Sequence, residues 1–372
     1  MPDLDGAALW RAVRDRWPHA KCRQRLMTSL YLQAPARMGL AWLHTEPAAS
    51  SATHKQVSII QWLFGGLLLL GLHFTAFAQP EAPPAPGQGR IERIYRFESR
   101  YVQSRHIDVW LPADYSNSKA YAVLYMHDGQ MLFDARTTWN KQAWNADAAV
   151  TRLVAAGRMP DTIVVGIWNN GPQRYAEYYP EKFLAAAPEA LRREYTLQAQ
   201  NGKPLADAYL RFIVEELKPS IDRRYSTRTD RDSTFIAGSS MGGLISLYAL
   251  CEYPQVFGGA AGLSTHWVGF PTAWGSERMR SSELPAAAMS YLRARLPDPA
   301  SHRIWLDRGS DALDSLYAPA LQQAAELLRE RGYTEAQATT RVFEGTGHNE
   351  RDWGSRLDQA LAFVVGAPAP KR

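Results

Sequence analysis

From residue 91 onward, apolar positions switch between a period of two and a period near 3.6. Residues 91–97 (IERIYRF) and 106–111 (HIDVWL) alternate apolar and polar side chains, which predicts antiparallel edge strands. Residues 121–126 (YAVLYM) and 163–168 (IVVGIW) are continuous β-branched and aromatic runs, as expected of strands covered on both faces. Between them, residues 146–156 (ADAAVTRLVAA) have helical spacing. The later pattern predicts a helix over 205–222, a strand over 233–237 and a helix over 241–251. It then predicts a small-residue strand over 256–263, a strand over 302–306 and a helix over 315–330. A last strand over 340–343 and a helix over 353–364 complete it. This order is β-α alternation around a mostly parallel sheet after an antiparallel start, an α/β fold with helices on both faces. Residues 264–299, with four prolines, predict a long irregular insert forming a lid or pocket wall.

The N-terminal part follows different rules. Residues 57–78 (VSIIQWLFGGLLLLGLHFTAFA) carry no charge, and Ala76-Phe77-Ala78 is a small-x-small cleavage pattern before Gln79. This predicts a signal peptide and hence export to the periplasm or medium, with a membrane anchor as the alternative. Residues 1–55 are expected to be a non-structural extension, and 79–90 (QPEAPPAPGQGR) a linker that does not pack. The domain expected to fold is therefore 91–366.

Charge and cysteine content change with this division. Residues 1–55 hold eight Lys/Arg against four Asp/Glu, so most of the net +5 belongs to them, and the chain from Gln79 onward is near +1. The basic balance is thus no argument for a nucleic-acid partner. Of the two cysteines, only Cys251 falls in the folding domain. No internal disulfide or cysteine metal site is expected there, and Cys251 reads as a small core residue.

Gly238-Ser-Ser-Met-Gly242 is a G-x-S-x-G pattern between a predicted strand and a predicted helix. Such a turn exposes a serine hydroxyl above a sheet, which makes Ser240 a candidate nucleophile and the Met241 N–H a candidate oxyanion donor. A serine needs a base, and the base an orienting carboxylate. In this arrangement the chain order is serine, acid, histidine. His348, in a glycine-flanked loop after the last strand, is the candidate base, with His266 a weaker rival. The acid lies in Leu306-Asp-Arg-Gly-Ser-Asp-Ala-Leu-Asp314. Asp314 is the first choice and Asp311 the second. Asp307 closes the strand, and Asp314 could equally cap the next helix. A second oxyanion N–H is expected from Gly129 or Gln130, after the 121–126 strand. Arg174 and Tyr175 could line a substrate pocket, or Arg174 could simply pair with Glu177.

The motifs HDGQMLFD, GIWNNGPQRYAEYYP, IAGSSMGG, LDRGSDALD and FEGTGHNERDW, in this order, resemble the putative-esterase family of α/β-hydrolases. That family includes feruloyl and acetyl-xylan esterases, enterochelin esterase-like enzymes, S-formylglutathione hydrolases and mycolyltransferases. The resemblance spans roughly 91–365. It implies an α/β-hydrolase fold, Ser240 as nucleophile, His348 as base, an Asp from the 307–314 loop, and no metal or organic cofactor. The expected activity is hydrolysis of a carbohydrate-linked, aryl or siderophore ester. Acyl transfer to an alcohol, or a catalytically silent binding module, are the alternatives.

Overall fold

The computed structural model describes residues 82–366. The extension, the signal-like segment and the start of the linker lie outside them.

Eight strands form one sheet in the order β1-β2-β4-β3-β5-β6-β7-β8. They are β1 Arg90–Phe97, β2 Arg105–Leu111, β3 Ala122–His127 and β4 Thr162–Ile167. The other four are β5 Thr234–Ser239, β6 Gly259–Leu263, β7 Arg303–Gly309 and β8 Ala338–Phe343. β2 runs antiparallel to both β1 and β4, and all other pairings are parallel. The sheet is thus mostly parallel with an antiparallel N-terminal start, as the pattern predicted. One detail differs: β2 is not an edge strand, because β4 covers its second side.

Helices pack on both faces. The main ones are α1 Ala146–Ala155, α2 Arg174–Tyr178, α3 Glu181–Ala185, α4 Glu189–Gln198, α5 Ala206–Arg211 and α6 Lys218–Arg224. They continue with α7 Met241–Glu252, α8 Glu283–Arg295, α9 Ala318–Glu330 and α10 Glu350–Val364. Alternate strand residues point to opposite faces, so the sheet divides two cores. Val123, Tyr125, Val165 and Ile236 face the core shared with α2 to α9, and Leu124, Met126, Val164 and Phe235 face the one shared with α1 and α10. Helix α7 is buried all round except at its end, which is why its sequence (MGGLISLYALCE) shows no polar stripe. Cys251 lies buried within it.

Three local expectations are corrected. The insert 264–299 is not wholly irregular, since it carries the 13-residue helix α8. Pro285 sits in that helix's first turn, where a missing N–H costs nothing. The helix expected over 205–222 is α5, a π-helical stretch Phe212–Leu217 and α6. The wide turn ends at Leu217, two residues before Pro219, which lacks the N–H needed to continue an α ladder. Residues 82–89 are not free of the domain: Ala85 N–H donates to Asp134 at 3.2 Å, Gln88 N–H to Asp147 at 3.0 Å, and Trp110 Nε1 to Gln88 O at 2.6 Å. Among the described residues no helix is long and apolar enough to cross a membrane.

Candidate active site

The parallel strands all end at one edge of the sheet, and the loops there carry the candidate residues. Ser240 follows β5 directly, with φ 56° and ψ −125°. This is a backbone conformation that L-residues avoid. It is held by Ser240 N–H to Leu263 O at 2.9 Å and by His266 N–H to Ser240 O at 3.1 Å. The flanking glycines are required sterically. A Cβ on Gly238 would lie 2.8 Å from the Gly242 carbonyl carbon, and one on Gly243 would lie 2.7 Å from Thr265 Oγ1. As the first residue of α7, Met241 has an N–H with no intrahelical acceptor.

His348 stands on the loop between β8 and α10, and its Nδ1 lies 2.6 Å from Asp314 Oδ1. The imidazole is 17% exposed and the Asp314 side chain is fully buried. The other carboxylate oxygen, Oδ2, accepts the Gly309 N–H at 2.7 Å and a short hydrogen bond from Ser264 Oγ. Burial works against the charge of Asp314, but the bonds to His348, Ser264 and Gly309 outweigh it and hold the carboxyl below its usual range. Among the described residues Ser240 Oγ has no hydrogen-bond partner, His348 Nε2 included. Such contacts are commonly long before substrate arrives.

The structure separates the three aspartates. Asp314 lies inside the 3-10 turn Ala312–Tyr317, so it is not the cap of a helix beginning at Ser315; Asp311 precedes the turn. Asp311 is exposed and accepts from Ser310 Oγ. Asp307 is buried and bound elsewhere: Oδ1 accepts from Ser264 N–H and Arg356 Nη2, both at 3.0 Å, and Oδ2 from Trp305 Nε1 at 2.8 Å. Burial pushes its carboxyl up in pKa, against the pull of Arg356.

His266, the rival base, is buried with both ring nitrogens engaged. Nε2 faces the Phe270 carbonyl at 2.9 Å, so that nitrogen carries the proton, and Nδ1 accepts from Tyr317 O–H at 2.6 Å. Burial lowers its pKa to about 3. It is a structural histidine beneath Ser240, with no ring nitrogen left for proton transfer.

The turn after β3 lies beside the serine turn, since β3 and β5 are neighbours. Asp128 adopts φ 55°, ψ 46°, and Gly129–Met131 form one 3-10 turn, in which Gln130 N–H has no acceptor. A Cβ on Gly242 would lie 3.3 Å from His127 Cβ, so the two turns are nearly in contact. Arg174 does not pair with Glu177. It grips Asp128 through Nε at 2.8 Å and Nη2 at 2.7 Å, while Glu177 is bound by Arg105 at 2.6 and 2.8 Å. Tyr175 is half-buried near Arg174 and Tyr317.

Sequence reasoning missed the support behind Asp314. Ser264 Oγ also accepts Trp353 Nε1 at 2.9 Å and Arg356 Nη2 at 2.7 Å. A strand-end serine and an arginine at a core-facing helical position were the available signals. It also missed Asp128 and Asn169, polar residues just past strand ends at the carboxyl edge. Among the described residues no group of three or more His, Cys, Asp or Glu is placed to hold a metal ion.

The chain is similar to several known proteins. The uncharacterized protein YbbA of Bacillus subtilis (strain 168) is 24% identical over 271 residues, covering 71% of this chain and 93% of its own length. The siderophore enterobactin esterase of Emericella nidulans is 26% identical over 203 residues, 53% of this chain and 63% of that protein. A solved structure of a ferulic acid esterase aligns with a TM-score of 0.52 at 22% identity, over 75% of this chain and 98% of that one. At that identity the structural likeness speaks for the fold. The family described as "Putative esterase" matches residues 99–364, nearly all of the described domain, and the chain belongs to that family.

Proposed function

We propose that the protein is a serine carboxylic-ester hydrolase working through an acyl-enzyme on Ser240. The observation that carries this reading is the His348–Asp314 bond, formed between two loops at the same sheet edge as the strained Ser240 turn. Asp314 accepts the Nδ1–H of His348, which leaves Nε2 as the free base. In the reaction, Ser240 Oγ attacks the ester carbonyl carbon while His348 Nε2 takes its proton. The carbonyl oxygen becomes an oxyanion facing the N–H groups of Met241 and Gln130. Collapse breaks the bond to the alcohol oxygen, which receives the proton from His348. Water then attacks the acyl-serine with His348 again as base, releasing the acid and restoring Ser240.

The substrate class is a small-molecule ester, aryl, siderophore or carbohydrate-linked. The names of the relatives support this: one is described as a siderophore enterobactin esterase and another as a ferulic acid esterase. Export is part of the proposal and rests on residues 57–78 alone; N-terminal sequencing of the mature protein checks it.

A fluorescent phosphonate probe tests the chemistry. The expected outcome is one label per chain on Ser240, lost in Ser240→Ala, with turnover of p-nitrophenyl acetate. A panel of feruloyl, acetyl-xylan and catecholate esters then ranks substrates. Unlabelled, inactive wild type would leave a binding module. Acyl transfer to added alcohols with negligible hydrolysis would make the enzyme a transferase.

A further inference from the structure

Asp128 is a non-glycine residue in the left-handed region, immediately before the turn that holds Gln130. Such a residue persists only where its surroundings over-determine it. Here they do. Its carboxylate accepts two bonds from Arg174 and one from Asn169 Nδ2 at 2.7 Å. Its N–H donates to the Tyr178 hydroxyl oxygen at 3.3 Å. Asn169 also reaches the next turn residue, donating its N–H to Gln130 Oε1 at 3.2 Å. From below, Gly129 lies flat on β4, where a Cβ would sit 2.5 Å from the Gly166 carbonyl carbon. Apart from the Met131 N–H on the Asp128 carbonyl within the turn itself, these polar contacts come from residues 169–178, which otherwise read as a pocket wall.

We propose that Arg174 and Asn169 are positioning residues: they clamp Asp128, and through it fix the Gln130 N–H where the oxyanion forms. This rests on the esterase reading above. The fork geometry suits the task, because Nε and Nη2 of a rigid guanidinium fix both carboxylate oxygens at once, which an ammonium cannot do. The pair is largely shielded, with side chains 24% and 12% exposed, so the contact is not loosened by water. Although burial opposes its charge, Arg174 and Asn169 hold the Asp128 carboxyl below its usual range. An oxyanion donor works by being in place beforehand. A misplacement of about 1 Å can cost on the order of 100-fold in rate. The clamp therefore acts on the transition state and leaves ground-state binding nearly untouched. A cation that contacted substrate would do the reverse.

The test compares Arg174→Lys, Asp128→Asn and Asn169→Ala with wild type. The substrates are neutral p-nitrophenyl acetate and the anionic mono-p-nitrophenyl ester of succinic acid. The expected result is a kcat lower by roughly 10- to 100-fold on both esters, with KM within about two-fold. Asn169→Ala leaves the Arg174–Asp128 pair intact, keeps the fold and shows the smaller loss. Added guanidinium restores part of kcat to Arg174→Ala without changing KM. The clamp is overturned if kcat survives in Arg174→Lys, or if only the KM for the anionic ester rises, which would make Arg174 a substrate contact. Phosphonate labelling of wild-type Ser240 separates the two layers. An unlabelled, inactive wild type sinks the esterase reading and the clamp with it, whereas an active, labelled wild type with unaffected variants sinks the clamp alone.

Discussion

His348 Nδ1 lies 2.6 Å from Asp314 Oδ1, and the second oxygen of that carboxylate is held by Gly309 N–H and Ser264 Oγ. Asp314 thus arrives at the histidine with its orientation already set by the end of β7 and the end of β6. Asp314→Asn should lower kcat on p-nitrophenyl acetate by about two to four orders of magnitude, since the amide can present the wrong group to Nδ1. Asp311→Ala, at an exposed position, should keep wild-type kcat. Steady-state kinetics on the two variants decides between the carboxylates.

The backbone of Ser240 gives a stability prediction. At φ 56°, ψ −125° a Cβ is strained and glycine is not. Ser240→Gly should therefore be more stable than Ser240→Ala by about 1 kcal/mol, against the usual order of the two residues. Urea unfolding of both inactive variants reads this directly. The usual order would show that the turn stores no strain.

Gly309 joins the acid loop to the histidine loop. Its N–H binds Asp314, and a Cβ there would collide with the Thr346 carbonyl oxygen two residues before His348. Gly309→Ala should destabilise by roughly 2 kcal/mol or more by forcing backbone apart. It should also reduce kcat in the protein that remains folded. A variant with wild-type kcat and midpoint would show that the loops adjust freely.

Arg356 and Asp307 form a buried ion pair at 3.0 Å, with Ser264 and Trp305 completing the bonds to the carboxylate. Removing only the cation strands a buried charge. Arg356→Met should cost about 3–5 kcal/mol. The double variant with Asp307→Asn should cost less than the sum of the two single changes. A double-mutant cycle measured by denaturant unfolding gives the coupling; additivity would mean the pair is not a unit.

The acid limb of stability should carry two histidines. Burial lowers His127 and His266 to about 3 from an ordinary 6.5. Between those values the unfolded chain binds a proton that the native state does not. Their contribution is complete above pH 6.5 and is lost as pH falls from 6.5 toward 3. The slope is about 1.4 kcal/mol per pH unit for each group, or roughly 2 kcal/mol each by pH 5. His127→Gln should flatten the drop in unfolding free energy between pH 7 and 5 by one histidine's share. An unchanged slope would show that His127 titrates normally.

Much of the fold was legible in the chain because it is written locally. Period-two and continuous apolar runs marked all eight strands to within a few residues, and the β5–α7 serine turn was visible from its glycines. What stayed hidden depends on neighbours distant in sequence. The alternating pattern of β2 reads as an edge strand, yet β4 pairs with its free side. Helix α8 was obscured by Pro285, whose harm depends on whether it falls in a first turn or later.

The candidate site divides in the same way. The sequence by itself determined the candidate serine in its strand-to-helix turn, the order of the candidate serine, aspartate and histidine, and the edge of the sheet whose loops carry them, because those follow from strand order. Only the tertiary structure decided among the three aspartates, which lie within eight residues of one another. Asp307 is claimed by Arg356, Asp311 faces solvent and Asp314 points to His348, a choice made by partners 34 or more residues away and by burial. It likewise gave Arg174 to Asp128, 46 residues distant, and not to Glu177 three residues along its own helix. Spacing along a chain brings a charge near several partners. Which one it keeps is settled by geometry and desolvation, and those exist only once the chain has folded.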